Sequence, residues 1–238
     1  MYYLDLTLQT AEENLACDEA LLEICDQGEF PGLIRLWEPP LYFVVLGHAN
    51  HLKQSVFQNR CRRLEIPILR RISGGGTVLL GPGCLNYSLI LPYDYSDELN
   101  NPRQTNHFLM ENIRQALLPL VPFTEILADS DLTSKNLKFS GNSQRRKKQG
   151  LLFHGTFLLN FDLNLLNQVL RIPQQKPEYR KGRTHRDFVT NLRQEPETVK
   201  NLLCRHWKAS MRFGEIPRQR IQELCKTRYG KDEWNFRT

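Results

Sequence analysis

Residues 70–77 read Arg70-Arg71-Ile72-Ser73-Gly74-Gly75-Gly76-Thr77, and they sit where an apolar strand, Ile66–Arg71, runs out. Three consecutive glycines let backbone come close to a ligand and can turn successive N–H groups toward an anion. The two arginines just upstream can make bidentate contacts to a phosphate or carboxylate. No Gly-Lys-Ser/Thr follows, so this is not a Walker loop, and the spacing is not the dinucleotide fingerprint either. On its own the stretch equally describes a tight turn between two strands.

Two later stretches sharpen the reading. Asp131-Leu132 is followed by Lys138-Phe139-Ser140-Gly141-Asn142-Ser143. A lysine on a strand with small residues after it can set one ammonium in a pocket beside close backbone. Such a point charge suits a carboxylate attacking a phosphate, where negative charge crowds. Lys135 nearby reads as a solvated surface residue. His154-Gly155-Thr156 then enters the apolar run Phe157–Leu159. A histidine there contacts a ligand or is simply structural.

Periodicity predicts a strand over residues 2–8 and a helix from the capping box Thr10–Glu13 to about residue 26. Strands fit Leu33–Trp37, Leu41–Leu46 and Cys84–Leu91, with shorter ones around Asp131, around Lys138 and over Leu151–Phe161. Helices fit about 53–64, Arg103–Leu118, 162–171, 197–210 and 217–229. Residues 173–187 read as polar and irregular. Strands and helices mix without a regular β-α-β period, which predicts an α+β fold.

The chain has 238 residues, enough for one sizeable core, and 24% of them are charged, as in an ordinary soluble protein. No apolar run reaches the roughly 18 residues of a membrane span. Asp5, Glu12 and Glu13 argue against a secretory signal. The six cysteines show no Cys-x-x-Cys pair and no metal-ligand spacing, so no metal site is expected. Free thiols fit a reducing, cytoplasmic compartment. The first 34 residues carry eight acids and no Lys or Arg, while the net charge of the whole is +6. The remaining body is therefore strongly basic and suits an acidic partner.

In this order and spacing, R-R-x-S-G-G-G, then D-L…K-F-S-G-N-S, then H-G-T-x-L-L-N resembles the catalytic domain of lipoate–protein ligase A and its relatives. Asn14-Leu15-Ala16 with Asp18-Glu19, Val44-Val45-Leu46-Gly47, Val189-Thr190-Asn191-Leu192 and Trp234-Asn235-Phe236 extend the resemblance along nearly the whole chain. The resemblance implies a mixed β-sheet with flanking helices, akin to biotin–protein ligases and class II aminoacyl-tRNA synthetases. It implies that Arg71, Gly76, Thr77, Val78 and Leu79 meet the nucleotide. Lys138 would bridge the acid's carboxyl oxygen and the α-phosphate, and Ser73, Gly75 and His154 would line the lipoyl pocket. ATP with Mg2+ and lipoate would be the substrates. The acceptor would be a lipoyl carrier domain, of a 2-oxoacid dehydrogenase acyltransferase subunit or of a glycine-cleavage H-protein. The resemblance further implies one catalytic domain over 1–238, with a helical part at 196–238. The family's usual accessory domain is expected to be absent, or supplied by a separate accessory protein.

One departure stands out. Relatives commonly have His-Asp shortly after the triple glycine, and here the stretch is Leu80-Gly81-Pro82-Gly83. Two other functions compete. An ATP-independent octanoyl or lipoyl transferase needs a nucleophilic cysteine near the lysine. Residues 122–137 contain none, and Ile172-Pro173 is followed by Gln174 rather than cysteine. Cys84 is the nearest in sequence, in a strand context that favours packing. A nucleic-acid-binding or nucleotide-sensing protein could use Arg145-Arg146-Lys147-Lys148 and the arginines from 171 to 193, yet no nucleic-acid-binding signature accompanies them.

Overall fold

The computed structural model describes residues 1–28 and 32–237; Glu29, one of the eight N-terminal acids, and Thr238 lie outside the described residues. Strand β1 (Tyr2–Asp5) leads to helix α1 (Ala11–Asp26), which starts on the expected capping box: Thr10 accepts from Glu13 N–H, and Glu13 accepts from Thr10 N–H. β2 (Leu33–Trp37) and β3 (Phe43–Leu46) follow. The helix expected over 53–64 is two short ones, α2 (Leu52–Ser55) and α3 (Gln58–Arg63). Between them Val56 is extended and bridges to Leu170, which buries its side chain. Then come β4 (Ile68–Arg70), β5 (Val78–Leu80), β6 (Cys84–Pro92) and α4 (Pro102–Leu117). β7 (Thr124–Leu127), β8 (Asp131–Ser134), β9 (Leu137–Arg146) and β10 (Gly150–Leu158) form a run of neighbours. The rest is α5 (Leu163–Val169), α6 (His185–Phe188), α7 (Pro196–His206), β11 (Met211–Arg212), α8 (Arg218–Leu224) and α9 (Asp232–Asn235).

Three strands were not legible: β5, β7 and β11. Each has four residues or fewer, too short for an alternation to show. Because β11 pairs with β1, the C-terminal part is not purely helical. The basic run is also not a free turn. Arg145 and Arg146 end β9, and only residues 147–149 turn into β10.

The large sheet has the order β11-β1-β2-β6-β10-β9-β8-β7, parallel where β1 meets β2 and β11 and antiparallel elsewhere. It is the mixed sheet that the family resemblance implies. Strand side chains alternate faces, so one strand serves two cores. Leu85, Tyr87 and Leu89 of β6, with Phe153 and Phe157 of β10, pack under α4 and α7. Ile90 and Leu152 face the other way, toward α1 and α8. Each such buried side chain contributes about 1.5–3 kcal/mol. The second sheet, β4-β3-β5, lies on the α1 side, and its Phe43, Val45, Leu69 and Leu80 join that core. On the same face of β6, between Ile90 and Asn86, the pattern inserts Ser88, and β10 inserts His154 and Thr156. This polar row under α1 and the small sheet is where the site forms.

Candidate functional site

The glycine stretch leaves β4 and crosses the end of β3. A Cβ on Gly47 would collide with the Gly75 carbonyl oxygen, so the β3 end must be glycine for the loop to lie there. The loop is held from beneath by Arg71. Its Nε–H donates to Ser73 Oγ at 2.9 Å, and its Nη2 donates to the carbonyls of Gly74 (2.6 Å) and Gly76 (2.8 Å). Burial pushes the guanidinium pKa down to about 10, still fully charged near neutral pH. Arg70 points the opposite way, to the carbonyls of Gly47, His48, Asn50, Trp234, Asn235 and Arg237. Arg70 thus spends its side-chain donors on backbone carbonyls and Arg71 on carbonyls and the Ser73 hydroxyl, and the exposed part of the stretch is Gly74, Gly75 and Gly76. Thr77 donates to Asn50 Oδ1 at 3.0 Å, and Val78 and Leu79 lie in β5.

Ser73 and His154 meet although 81 positions separate them, with Oγ to Nε2 at 2.6 Å. Beyond the imidazole, Nδ1 lies 3.6 Å from Asp18 Oδ2 of α1. The same carboxyl oxygen accepts from Ser88 at 2.7 Å, and Oδ1 pairs with Arg35 at 2.6 Å. Burial alone would raise the Asp18 pKa, but the Arg35 charge, helped by His154 and Ser88, wins and holds it below the usual carboxylate range. Gly75 rests over Ser143, the β9 neighbour of His154.

Lys138 stands at the far end of β9, half-buried, its Nζ 2.6 Å from Asp131 Oδ1. The hairpin between β8 and β9 turns on Lys135 and Asn136, both at positive φ (51° and 61°). That geometry puts Lys135 in solvent while Lys138 faces inward. Asn86 and Thr156 lie on the polar row opposite Gly141, joined at 2.6 Å, and Asn86 Nδ2 is a buried donor with no partner. At the other end a cavity of about 460 Å³ is lined by His48, Ile72, Gly74, Gln144, Arg145 and Arg146. Like-charged arginines lie near it: after burial, Arg237, Arg145, Arg70 and Arg228 depress the His48 pKa.

Ser73, Gly75 and His154 therefore gather over Ser143 of β9, and Lys138 lies farther along that strand beside Gly141. Arg71, by contrast, sits beneath the glycines, and Val78 and Leu79 lie in the small sheet, Leu79 buried in a core. Asp18 and Asn86 join the polar row at His154 and Thr156 without having been expected as site residues. A signal existed for both. Asp18 falls on the apolar stripe Leu15, Leu22, Cys25 of its helix, and Asn86 and Ser88 interrupt one face of an otherwise apolar strand. Among the described residues no three His, Cys, Asp or Glu side chains gather into a metal-binding group. No helix among them is long and apolar enough to cross a membrane.

Residues 10–207 match the model of the lipoyl protein ligase A/B catalytic domain. Lipoate-protein ligase A subunit 1 of Thermoplasma acidophilum is 24% identical over 94% of this chain and 91% of its own length. The octanoyltransferase LipM of Geobacillus kaustophilus is also 24% identical, over 94% and 93%. A crystal structure of lipoate-protein ligase A bound with ATP superimposes with a TM-score of 0.82 at 21% identity, covering 99% of this chain and 98% of that one.

Proposed function

The chain belongs to the lipoyl protein ligase A/B catalytic-domain family, and on that premise we propose that it joins lipoate, or a related medium-chain acid such as octanoate, to a lysine of a lipoyl carrier domain at the expense of ATP. The acid's carboxylate attacks the α-phosphorus of ATP, releasing pyrophosphate and forming an acyl-adenylate. The carrier lysine's amine then attacks the acyl carbonyl, AMP leaves, and the amine gives up a proton. Both kinds of enzyme occur among the relatives, and the state of the cysteines supports the ligase reading. A transferase of this fold needs a thiolate, which is the attacking form. Burial pushes the thiols of Cys17 and Cys225 up to about 11 and those of Cys25 and Cys84 to about 12, and raises Cys61 and Cys204. An ammonium at Lys138 supports the adenylation route, which needs a cation and no nucleophile.

In this reading Lys138 neutralises charge between the carboxylate and the α-phosphate. The glycine backbone of Gly75 and Gly76, with Thr77 to Leu79, lies against the nucleotide, and Arg71 acts by holding that backbone in place. Ser73 and His154 orient the acid. Magnesium would enter with ATP as part of the substrate and would neutralise the phosphates. Dependence on ATP and free thiols fits a cytoplasmic protein. Incubating the chain with lipoate or octanoate, Mg-ATP and an apo carrier domain, omitting each in turn, tests the whole reading. Acyl carrier formed without ATP would overturn it. The same assay separates the half-reactions: we expect transfer by the chain alone, and adenylate that accumulates until a second protein is added would show that an accessory chain is needed.

A further inference from the structure

We propose that Tyr179 is a positioning residue for Lys138, acting through Asp131. The inference rests on the reading of Lys138 as the adenylation lysine and adds Tyr179, to which the sequence attached no role.

A lysine ammonium sits on four rotatable carbons, so its direction must be set by something else. In the structure Asp131 sets it: Oδ1 holds Nζ at 2.6 Å. The lysine stem lies across Gly141, where a Cβ would stand 2.8 Å from Nζ. An aspartate free to rotate would fix little. Its second oxygen, Oδ2, however, accepts from the Tyr179 hydroxyl at 2.6 Å. Burial and the neighbouring carboxylate push the phenol pKa well up, so Tyr179 remains a donor at any physiological pH.

Tyr179 is itself braced. Its ring leans on Phe188, centroids 5.0 Å apart at 40°, and its carbonyl accepts from Arg183 Nη2 at 2.6 Å. Arg183 also donates to Asn136 O in the turn before Lys138, at 3.0 Å. The same covering segment reaches Lys138 directly, since Thr190 N–H donates to the Lys138 carbonyl at 2.8 Å. Backbone and ammonium of the lysine are therefore both referred to residues 179–190. One N–H of the ammonium is spent on Asp131, which leaves the other two for the reacting oxygens.

The test uses the full chain and ATP–pyrophosphate exchange with octanoate. Tyr179→Phe keeps the ring on Phe188 and removes only the hydroxyl. We expect kcat to fall about tenfold, the usual scale for one hydrogen bond to a charged group, with the KM for ATP within about twofold and thermal stability kept. The losses of Tyr179→Phe and Asp131→Asn should not multiply, because both act on one contact. Acetylation of Lys138 by a small anhydride, followed by mass spectrometry, should speed up in Tyr179→Phe. Unchanged kcat and labelling, or losses that multiply fully with Asp131→Asn, would overturn the inference while leaving the function intact. Exchange that survives Lys138→Ala would overturn the role given to Lys138 and this inference with it, whereas no exchange by the parent chain would overturn the function itself.

Discussion

Ser73 Oγ and His154 Nε2 lie 2.6 Å apart and join two segments 81 positions apart in the chain. Ser73 Oγ also accepts from Arg71 Nε–H, and His154 Nδ1 lies 3.6 Å from Asp18 Oδ2. The bond locks the glycine stretch to β10. Ser73→Ala and His154→Gln should each raise the KM for lipoate about tenfold while sparing the KM for ATP, and together should do less than the product. Equal effects on both substrates, in steady-state kinetics, would place the pair outside the acid's pocket.

Lys138→Ala should reduce ATP–pyrophosphate exchange by about two to three orders of magnitude without unfolding the chain. Lys135→Ala is the control. It sits exposed at a left-handed turn position three residues away, so its removal should change exchange by less than about twofold. A folded Lys138→Ala enzyme with near-normal exchange contradicts the assignment.

No acyl-enzyme should form. Cys84 is 1% exposed and its thiol is pushed up to about 12, so almost none is ionised at neutral pH. Cys84→Ala should keep full activity and lose about 1 kcal/mol of stability for the small space left behind. A hydroxylamine-sensitive adduct, seen by mass spectrometry in the absence of ATP, would favour the transferase instead.

The basic run divides into free and committed cations. Arg146 donates to Leu99 O and Thr105 Oγ1 and lies over Tyr93, and Lys147 approaches Glu23 at 3.5 Å. Arg145 and Lys148 are exposed. Replacing just these two by Ser should raise the KM for an acidic carrier domain and flatten its salt dependence, with adenylation of free acid unchanged, because steering charges act on encounter. Carrier kinetics that do not move between low and high salt would make the run a plain solvated edge.

Asp18 predicts an acid limb of stability. Its folded pKa lies below the unfolded value of about 3.9, so its contribution is complete above that pH and is lost as pH falls through the lower folded value. Asp18→Asn leaves Arg35 buried without its counter-charge, which should cost about 3–5 kcal/mol near neutrality. Below about pH 4 the variant should also lose less further stability than the parent. Urea unfolding from pH 7 to pH 2 measures both slopes, and parallel curves would remove Asp18 from the balance.

What could be read from sequence follows the range of the interactions. Helix α1 and strands β2 and β6 declare themselves by local periodicity and a capping box, and their limits fall within a residue or two of expectation. Lys138, His154 and the glycine stretch were visible because each carries unusual chemistry in a short string. Arg70 and Arg71 looked interchangeable, as a pair aimed at one anion. Successive strand residues point to opposite faces, so the fold turns one to the glycine loop and the other to the C-terminal segment. Tyr179 gave no signal, since its partner is 48 positions away and only the folded segment brings them together.

Arg70 carries a consequence for synthesis on the ribosome. Besides its carbonyl contacts, its own N–H donates to Asn235 Oδ1 at 3.0 Å, and its carbonyl accepts from Trp234 Nε1–H at 2.9 Å. A nascent chain whose residues 234–237 have not yet emerged has β4 and the glycines in hand but not the brace beneath them. Such a chain should bind nucleotide weakly while still being translated, and gain its affinity only when those residues clear the exit tunnel.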